Sequence, residues 1–453
     1  MSAQYGIGSM NLTERWLDLV QNGHVVATTT ISNPKASVQY GIRTVELDDS
    51  DDDTKKKIAC MEFVQEIGNE RHPQHPLVQQ INATLSRLQS SISSKQQARQ
   101  DQQYAVQYQQ IGPYAAQLQL VRTLRPPPST GFGTGGGEPT TCHPPPYDST
   151  KDSFVQGPYR LALRPLVGSL SNRDLPPSSS LSSSSLTTAW DIYHNVSPAD
   201  SRGHYLLIPT VSQEKTNWRG QILTRKDCQD VMILTQAIRP VGSALICYNS
   251  VGAGASQNHI HLHLWPSPPI PLLFDEHENN CNNGWNCYAV SKAKPISTIT
   301  LFHNDGNDVH VSVLEYPVCC IKLSSTSTTN LGIALAKVVD IVQEQDAPHN
   351  VGLLNRPHNK HEDNATIAAV VDAYVFVRSR ERSPRIVPGS RAGVSEMMGV
   401  FHTSSEDQFQ ELISDNDAME TVLRDVSYEP RDGIWEEIQS RLMNKKYNFL
   451  VEQ

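Results

Sequence analysis

Short apolar runs alternate along the chain with stretches of helical periodicity, which predicts a fold that contains both strands and helices. The runs at 205–208, 244–248 and 373–377 are bounded by proline or polar residues, as buried strands are. Asn11 precedes the amphipathic stretch 12–20 and predicts a short helix there. Further helices are predicted where apolar residues recur every three or four positions: Val231, Leu234 and Ile238; Leu331, Leu335, Val338 and Val342; Ile434, Ile438 and Leu442. This mixture favours a layered α+β fold.

Histidine and aliphatic residues alternate one for one between residues 259 and 264. Successive side chains of a strand point to opposite faces, so His259, His261 and His263 are expected on one face. The aliphatic residues would be buried on the other face: Ile260, Leu262 and Leu264. A glycine-containing loop comes immediately before the histidines, and this combination indicates phosphate chemistry. A neutral imidazole is a good nucleophile near neutral pH.

Two other interpretations of the three histidines stay open at this point. A pair of histidines separated by one strand residue is also a common metal-ligand arrangement, with a third ligand from elsewhere in the chain. Alternatively, the histidines are exposed or satisfied in a core and have no chemical role. Their strict spacing makes the last interpretation weaker than it would be for a lone histidine.

The stretch 248–263 resembles the active-site motif of the histidine-triad superfamily, and within it the branch of galactose-1-phosphate uridylyltransferase. The match covers the aromatic-Asn-Ser start, Gly252, Ala255 and the Asn-His-x-His core. It is most similar to the GDP-hexose phosphorylase family. Weaker similarities lie at 112–118, 125–128, 195–198, 203–209, 349–354 and 396–399.

This resemblance implies an α+β fold, a histidine-triad-like antiparallel sheet with packed helices, duplicated into a bilobal catalytic unit. Residues 1–110 would be an N-terminal region with a polar Gln/Ser-rich insert. Residues 111–300 would carry the active site, and 301–453 a second triad-like half with a C-terminal helix.

The resemblance also implies a two-step reaction. His261 would attack the α-phosphorus of GDP-L-galactose or GDP-D-glucose and release hexose 1-phosphate. Inorganic phosphate would then displace the guanylyl group as GDP. His259 and His263 would bind phosphate oxygens or orient the ring of His261.

Several other residues are candidates for substrate and phosphate contacts. Glycines in the loop allow a close approach of backbone N–H groups to a phosphate, and neighbouring polar side chains add further donors. The candidates are Asn249, Ser250, Gly252, Ser256, Gln257, Asn195 and Arg125. For Asn249 the alternative is a capping role at the strand end, for Asn195 a turn, and for Arg125 simple exposure beside prolines.

Two departures from the family pattern leave the substrate open. His263 stands where plant members have glutamine and animal members histidine, so the sugar is not settled. The stretch 255–257 also resembles diadenosine tetraphosphate phosphorylases. A dinucleoside polyphosphate phosphorylase or hydrolase is therefore an alternative, and so is a non-catalytic nucleotide-binding or metal-binding module.

The charge and composition of the chain limit the classes of binding partner and the cellular location that we expect. The net charge of −9 and the absence of a dense basic cluster argue against nucleic acid, so a small phosphate compound is expected. No apolar run is long enough to span a bilayer, and the eight cysteines form no CxxC pair, which favours the cytoplasm. We expect no cofactor and no metal, and the resemblance is compatible with a homodimer. Cys281 and Cys287 near His277 could form a zinc site, but a loop with thiols is favoured.

Four segments interrupt the pattern. Residues 48–57 are charged and predict a solvated loop, and 131–137 are glycine-rich without the Gly-Lys-Ser/Thr of a phosphate loop. Residues 85–110 predict a polar exposed helix or a partly disordered insert, and 178–185 a serine-rich break.

Overall fold

The structure of the protein is a computed structural model. It describes residues 6–7, 9–21, 107–118, 141–152, 154–155, 160–174, 185–195, 203–210, 218–239, 244–265, 288–301, 307–357, 369–383, 392–403, 406–428 and 433–444. The predictions for 48–57, 131–137, Arg125, His277, Cys281 and Cys287 lie outside these residues.

The strands of the described chain are β1 (Gly6–Ile7), β2 (Met10–Asn11), β3 (Gln107–Ile111), β4 (Tyr114–Leu118), β5 (Leu166–Leu170), β6 (Trp190–His194), β7 (Tyr205–Pro209), β8 (Ile238–Arg239), β9 (Leu245–Asn249), β10 (Leu262–Trp265), β11 (Pro295–Leu301), β12 (Val309–Leu314), β13 (Cys320–Ser325), β14 (His349–Pro357), β15 (Ala369–Val377) and β16 (Val400–Thr403). The helices are α1 (Leu12–Gln21), α2 (Arg225–Gln236), α3 (Thr328–Glu344), α4 (Val394–Met397), α5 (Glu406–Ser414), α6 (Ala418–Val426) and α7 (Ile434–Met443).

The central sheet is built from two copies of one topology. Its ten described strands lie in the order β11-β12-β13-β15-β14-β9-β10-β7-β6-β5, and every neighbouring pair is antiparallel. In each copy three consecutive strands form a meander, a helix follows, and the fifth strand then inserts between the third and the fourth. Strands β5, β6, β7, β9 and β10 with α2 form one copy, and β11 to β15 with α3 form the other. The expected antiparallel α+β fold and its duplication are confirmed.

The two copies meet where β9 pairs with β14, from Leu245 opposite Leu354 to Asn249 opposite Asn350. On one face of the sheet α2 and α3 pack together, joined by apolar residues of α1 and α7. On the other face lie α5, α6 and the small sheet β16-β4-β3. The apolar alternation of the strands therefore supplies two cores, one on each side of the sheet.

Most elements predicted from periodicity are confirmed, with shifts at their ends. The side chain of Asn11 accepts a hydrogen bond from the N–H of Glu14 at 3.1 Å, which starts α1 as predicted. Helix α2 begins earlier than its apolar stripe because Thr224 and Asp227 form a reciprocal capping box. Ile238 lies beyond this helix in β8, where it pairs with Ile7. Within the predicted helix or disordered insert at 85–110, the described residues 107–110 are instead strand.

No helix in the described part of the chain is long and apolar enough to cross a membrane.

His349 makes stability depend on pH at the junction of the two copies. The ring is buried, and its Nδ1–H donates to the carbonyl of Ala347 at 3.0 Å. Burial lowers the pKa of His349 from 6.5 to about 4. The unfolded chain therefore binds the proton first as the pH falls, and stability is lost between pH 6.5 and about 4.

We expect the wild-type free energy of unfolding to fall by up to about 3 kcal/mol more than that of His349→Leu as the pH falls through this window. Urea unfolding at several pH values measures the difference. Parallel pH profiles for the two proteins would contradict this account.

Candidate active site

The histidine segment is a strand only in its second half. Strand β10 begins at Leu262, where the sequence alternation predicted a strand from His259 onward. The alternation itself is confirmed, because Ile260, Leu262 and Leu264 are buried in the core on the face of the sheet that α2 and α3 cover. The imidazoles face the other way, and the ring centroids of His261 and His263 are 5.1 Å apart.

Beside His261, the side chain of Gln221 takes the place of the backbone hydrogen bonds that would otherwise pair the two strands. The antiparallel register of β9 and β10 pairs His263 with Cys247, so continued pairing would set His261 opposite Asn249. The amide of Gln221 fills that place. Its Nε2 donates to the carbonyls of Asn249 and His261 at 2.9 and 3.1 Å, and its Oε1 accepts from the N–H of His261 at 2.9 Å. Gln221 has no exposed surface, and it fixes the backbone that carries His261.

The ring of His261 is held in one tautomer. Its Nδ1 lies 2.8 Å from the carbonyl oxygen of His259, and a carbonyl oxygen only accepts, so Nδ1 carries the proton. The neutral ring therefore has its lone pair on Nε2. Phe154 packs edge-on against this ring, with centroids 5.3 Å apart, and restricts its rotation. This arrangement presents Nε2 as a nucleophile of defined direction.

The first histidine is paired with a buried carboxylate. His259 Nδ1 lies 2.5 Å from Asp152 Oδ2, and each side chain is 1% exposed. Tyr147 donates its hydroxyl proton to the same oxygen at 2.7 Å, and the N–H of Phe154 donates to Asp152 Oδ1 at 2.8 Å. Burial alone would raise the pKa of Asp152, but the contacts with His259, Tyr147 and Phe154 outweigh it and lower the pKa below 3.8. The carboxylate stays charged and orients the ring of His259.

Asp152→Asn should lower kcat by about 10²-fold or more, since it keeps the shape of the side chain but removes the charge that orients His259. The stabilising contribution of this charge is present above pH 3.8 and is lost as the pH falls through the lower folded-state pKa. The difference in unfolding free energy between wild type and variant should therefore shrink below pH 3.8. Steady-state kinetics and denaturant unfolding measure the two effects.

Asp148→Asn is the matched control, because Asp148 belongs to the same segment but its side chain contacts Thr150 and Lys151 rather than a histidine. Wild-type kcat in Asp152→Asn would show that the charge beside His259 is dispensable.

The third histidine contacts His204, which lies just before β7 and in turn contacts Asn195 just after β6. His263 Nδ1 lies 2.9 Å from His204 Nε2, so one of these nitrogens donates to the other. The side chain of Asn195 lies 3.2 Å from the same His204 nitrogen. Asn195, a predicted substrate contact, is thus brought to the histidine cluster, where it supports His204. His204 belongs to the stretch 203–209 of weaker family similarity and lies in the same cluster.

Two glycines in the loop between β9 and the histidines adopt the left-handed backbone conformation. Gly252 and Gly254 have φ of 69° and 99°, a region that side chains disfavour. The N–H of Gly254 donates to Glu381 Oε1 at 3.2 Å, and a Cβ on Gly254 would lie 3.0 Å from the Cα of Gly393. Residues that follow β15 therefore hold the loop in place.

The side chains of Asn249 and Ser250 form hydrogen bonds within the protein. The side-chain oxygen of Asn249 accepts from Asn350 Nδ2 at 2.7 Å and from the N–H of Val394 at 2.9 Å. The hydroxyl of Ser250 donates to the carbonyl of Val251 and accepts from the N–H of His349, both at 2.8 Å. Phosphate contact by either side chain stays a prediction, as does the capping alternative for Asn249.

Ser256 and Gln257 are half-buried in the last turn before the histidines. The Oε1 of Gln257 is buried and has no hydrogen-bond partner among the residues that the structure describes. Phosphate contacts from these two side chains and from Gly252 stay predictions. The predicted phosphate contact Arg125 lies outside the described chain.

Sequence reasoning missed Asp152, Gln221 and the aromatic residues around His259. Asp152 lies 107 positions before the histidine that it contacts. Gln221 lies 40 positions before His261 and is a single polar residue ahead of a helix cap. Neither has a spacing that marks it, since both act through tertiary contacts. Phe154 and Trp218 contact the ring of His259 edge-on or tilted, at centroid distances of 5.4 and 5.9 Å.

No protein-family model and no curated protein matches the chain. Among solved structures, it is similar to yeast Ap4A phosphorylase Apa2 in complex with Ap4A, with 12% identity and a TM-score of 0.40 over 78% of this chain and 97% of that one. The complex of Apa2 with AMP gives 14% identity and a TM-score of 0.38 over the same shares. A GalT-like protein from Arabidopsis thaliana gives 15% identity and a TM-score of 0.25 over 53% of this chain and 84% of that one.

Proposed function

We propose that this protein is a nucleotidyltransferase of the histidine-triad type that acts as a GDP-hexose phosphorylase. It would convert GDP-L-galactose or GDP-D-glucose and phosphate to GDP and hexose 1-phosphate. The observation that carries the proposal is the geometry of His261, whose Nδ1–H is held by the carbonyl of His259 while its backbone is fixed by Gln221. The similarity of 248–263 to the family motif supports the choice of substrate.

In the first step, Nε2 of His261 attacks the α-phosphorus of the GDP-sugar. The N–P bond forms as the bond from the α-phosphorus to the bridging oxygen breaks, and hexose 1-phosphate leaves with that oxygen. This leaving group is stable as an anion, so the step requires little help from a general acid. In the second step, an oxygen of inorganic phosphate attacks the same phosphorus, the N–P bond breaks and GDP is released.

Negative charge on the α-phosphate oxygens has to be stabilised in both steps. A donor aimed at such oxygens is typically worth about 3 kcal/mol. The glycine loop at 252–257 is the candidate source of backbone donors, and the Asp152–His259 pair supplies an imidazole beside the nucleophile. His263, held through His204, lies on the other side of His261.

A second function is favoured by one sequence observation. The Ala-Ser-Gln run at 255–257 resembles diadenosine tetraphosphate phosphorylases. The same covalent chemistry on His261 would then cleave a dinucleoside polyphosphate, with a nucleoside polyphosphate as the leaving group. The histidine geometry serves both substrates equally, so the choice depends on the nucleobase and the leaving group.

The test is a substrate panel with and without inorganic phosphate. GDP-galactose, GDP-glucose, GDP-mannose and diadenosine tetraphosphate are incubated with the full chain, and products are separated by ion-exchange chromatography. We expect GDP only when a GDP-hexose and phosphate are both present. Turnover of diadenosine tetraphosphate alone would favour the second function.

The covalent intermediate is tested in parallel. The chain is incubated with GDP-hexose labelled in the α-phosphate, without inorganic phosphate, and quenched in alkali, where phosphoramidates survive. We expect label on His261 that inorganic phosphate releases as GDP. A chain that carries no label with any substrate of the panel would contradict catalysis through histidine.

A further inference from the structure

We propose that Cys142, His143 and Asp346 form a binding site for a divalent transition metal, zinc by the nature of its donors. This Cys-His-Asp cluster lies outside the histidine site and does not depend on the proposed function. It differs from the zinc site considered at Cys281 and Cys287. No local sequence pattern indicates it, because Asp346 is 204 positions from Cys142.

The donor atoms are close enough for one ion. The Sγ of Cys142, a ring nitrogen of His143 and a carboxylate oxygen of Asp346 all lie within 4.8 Å of one another. The Nε2 of His143 and the Oδ1 of Asp346 are 3.7 Å apart. Ligands at tetrahedral zinc are about 3.3–3.8 Å apart, so this pair fits and the thiol has to move by about 1 Å. Thiolate, imidazole and carboxylate are the donors that zinc prefers.

A fourth donor is provided by the end of α3. The carbonyl oxygen of Gln343 lies 3.1 Å from His143 Nε2 and 3.9 Å from Cys142 Sγ. This carbonyl belongs to the last turn of a 17-residue helix that has no basic residue in that turn. The carbonyl end of a helix carries partial negative charge, which favours a cation at this position.

The cluster combines access from solvent with a shielded thiol. The side chains of His143 and Asp346 are 53% and 52% exposed, whereas Cys142 is 1% exposed. An ion can therefore enter over the imidazole and the carboxylate. Coordination by sulfur requires the thiolate, so each ion that binds releases the proton of Cys142 to solvent. The N–H of His143 that now faces the Gln343 carbonyl would move to Nδ1.

A metal ion at this position would stabilise the segment 141–152, which contacts the histidine site. Without an ion, Asp346 Oδ1 accepts from the N–H of Cys142 and the hydroxyl of Thr141, at 3.0 and 2.5 Å. These bonds already attach residues 141–143 to the end of α3. The same segment continues to Tyr147 and Asp152, which contact His259. An ion would reinforce the attachment and so stabilise the position of Asp152.

The test uses the full chain after treatment with a chelator and dialysis, titrated with Co²⁺ alone. We expect one Co²⁺ per chain, a thiolate-to-cobalt charge-transfer band in the near ultraviolet, and displacement by Zn²⁺. Cys142→Ser should remove the band. Asp346→Asn and His143→Ala should weaken binding by more than tenfold, since even supporting residues of metal sites contribute about 10- to 100-fold.

The double variant Cys281→Ser/Cys287→Ser is the matched control, because it removes the other candidate thiols and should keep the band. His143→Ala is included because Cys142→Ser could misfold. The side chain of His143 is half-exposed, so its removal should leave the core intact. Zn²⁺ should raise the melting temperature of wild type and not of His143→Ala. The proposal is overturned if wild type shows no charge-transfer band, or if the band persists in Cys142→Ser.

Discussion

His261→Ala should reduce phosphate-dependent nucleotide release by on the order of 10⁴-fold or more, the scale on which covalent enzymes lose rate without their nucleophile. The alanine removes Nε2, on which the lone pair is set by the hydrogen bond from Nδ1 to the carbonyl of His259. Single-turnover assays with labelled GDP-hexose measure the loss.

The fold should survive this change. The imidazole makes aromatic contacts with Phe154 and His263, whereas Gln221 bonds to the backbone of residue 261, which alanine retains. His310→Ala is the matched control, because His310 is exposed on β12 and should keep full activity. Near-normal turnover in His261→Ala would refute the covalent route, whatever the substrate.

Gln221→Leu should damage both stability and catalysis. Leucine fills a similar volume, but the N–H and carbonyl of His261 and the carbonyl of Asn249 lose their partner. A buried backbone group left without its hydrogen bond costs about 1–3 kcal/mol, so we expect a loss of about 3 kcal/mol or more in unfolding free energy. Because the backbone of the nucleophile is no longer fixed, kcat should fall by about 10²-fold. Denaturant unfolding and steady-state kinetics on the folded fraction measure both effects.

Gln117→Leu provides the comparison for this variant. Gln117 is also buried, but it lies in β4 of the small sheet, so its loss should affect stability with little effect on kcat. If Gln221→Leu is destabilised but keeps wild-type kcat per folded molecule, Gln221 supports the fold alone. A change in kcat with unchanged KM is expected if the residue acts through the position of His261.

The sequence was informative wherever the physical cause is local. Apolar spacing located α1, α3 and α7 because each buries one stripe of its surface, and alternation placed Ile260, Leu262 and Leu264 in the core. The histidine motif was found because its residues are adjacent in the chain. The tautomer of His261 is local too, since its partner is the carbonyl two residues earlier.

What the sequence did not predict depends on distant partners. The strand starts at Leu262 because Gln221, from another part of the chain, takes the ladder position beside His261. Asp152 contacts His259, and residues 141–143 of the same segment contact Asp346 at the end of α3. The glycine loop is held by Glu381 and Gly393, more than a hundred positions downstream. No local pattern encodes such pairings.

The two copies of the topology are also unequal in their chemistry. Strand β15 occupies in the second copy the place that β10 has in the first, and its sequence from Ala369 to Val377 contains no histidine. Its residues are almost entirely apolar and buried. The second copy and the residues that follow it therefore support the candidate site in the first copy, through Asn350 and Glu381.

The pairing of β9 with β14 has a consequence for truncated forms of the protein. Each of these strands lies inside the sheet only because the other copy covers its edge. A fragment that ended before β11 would expose the backbone donors and acceptors of β9 together with its buried and largely apolar side chains, a combination that promotes intermolecular strand pairing and aggregation. Splicing or proteolysis between the copies should therefore yield insoluble product rather than a smaller working enzyme.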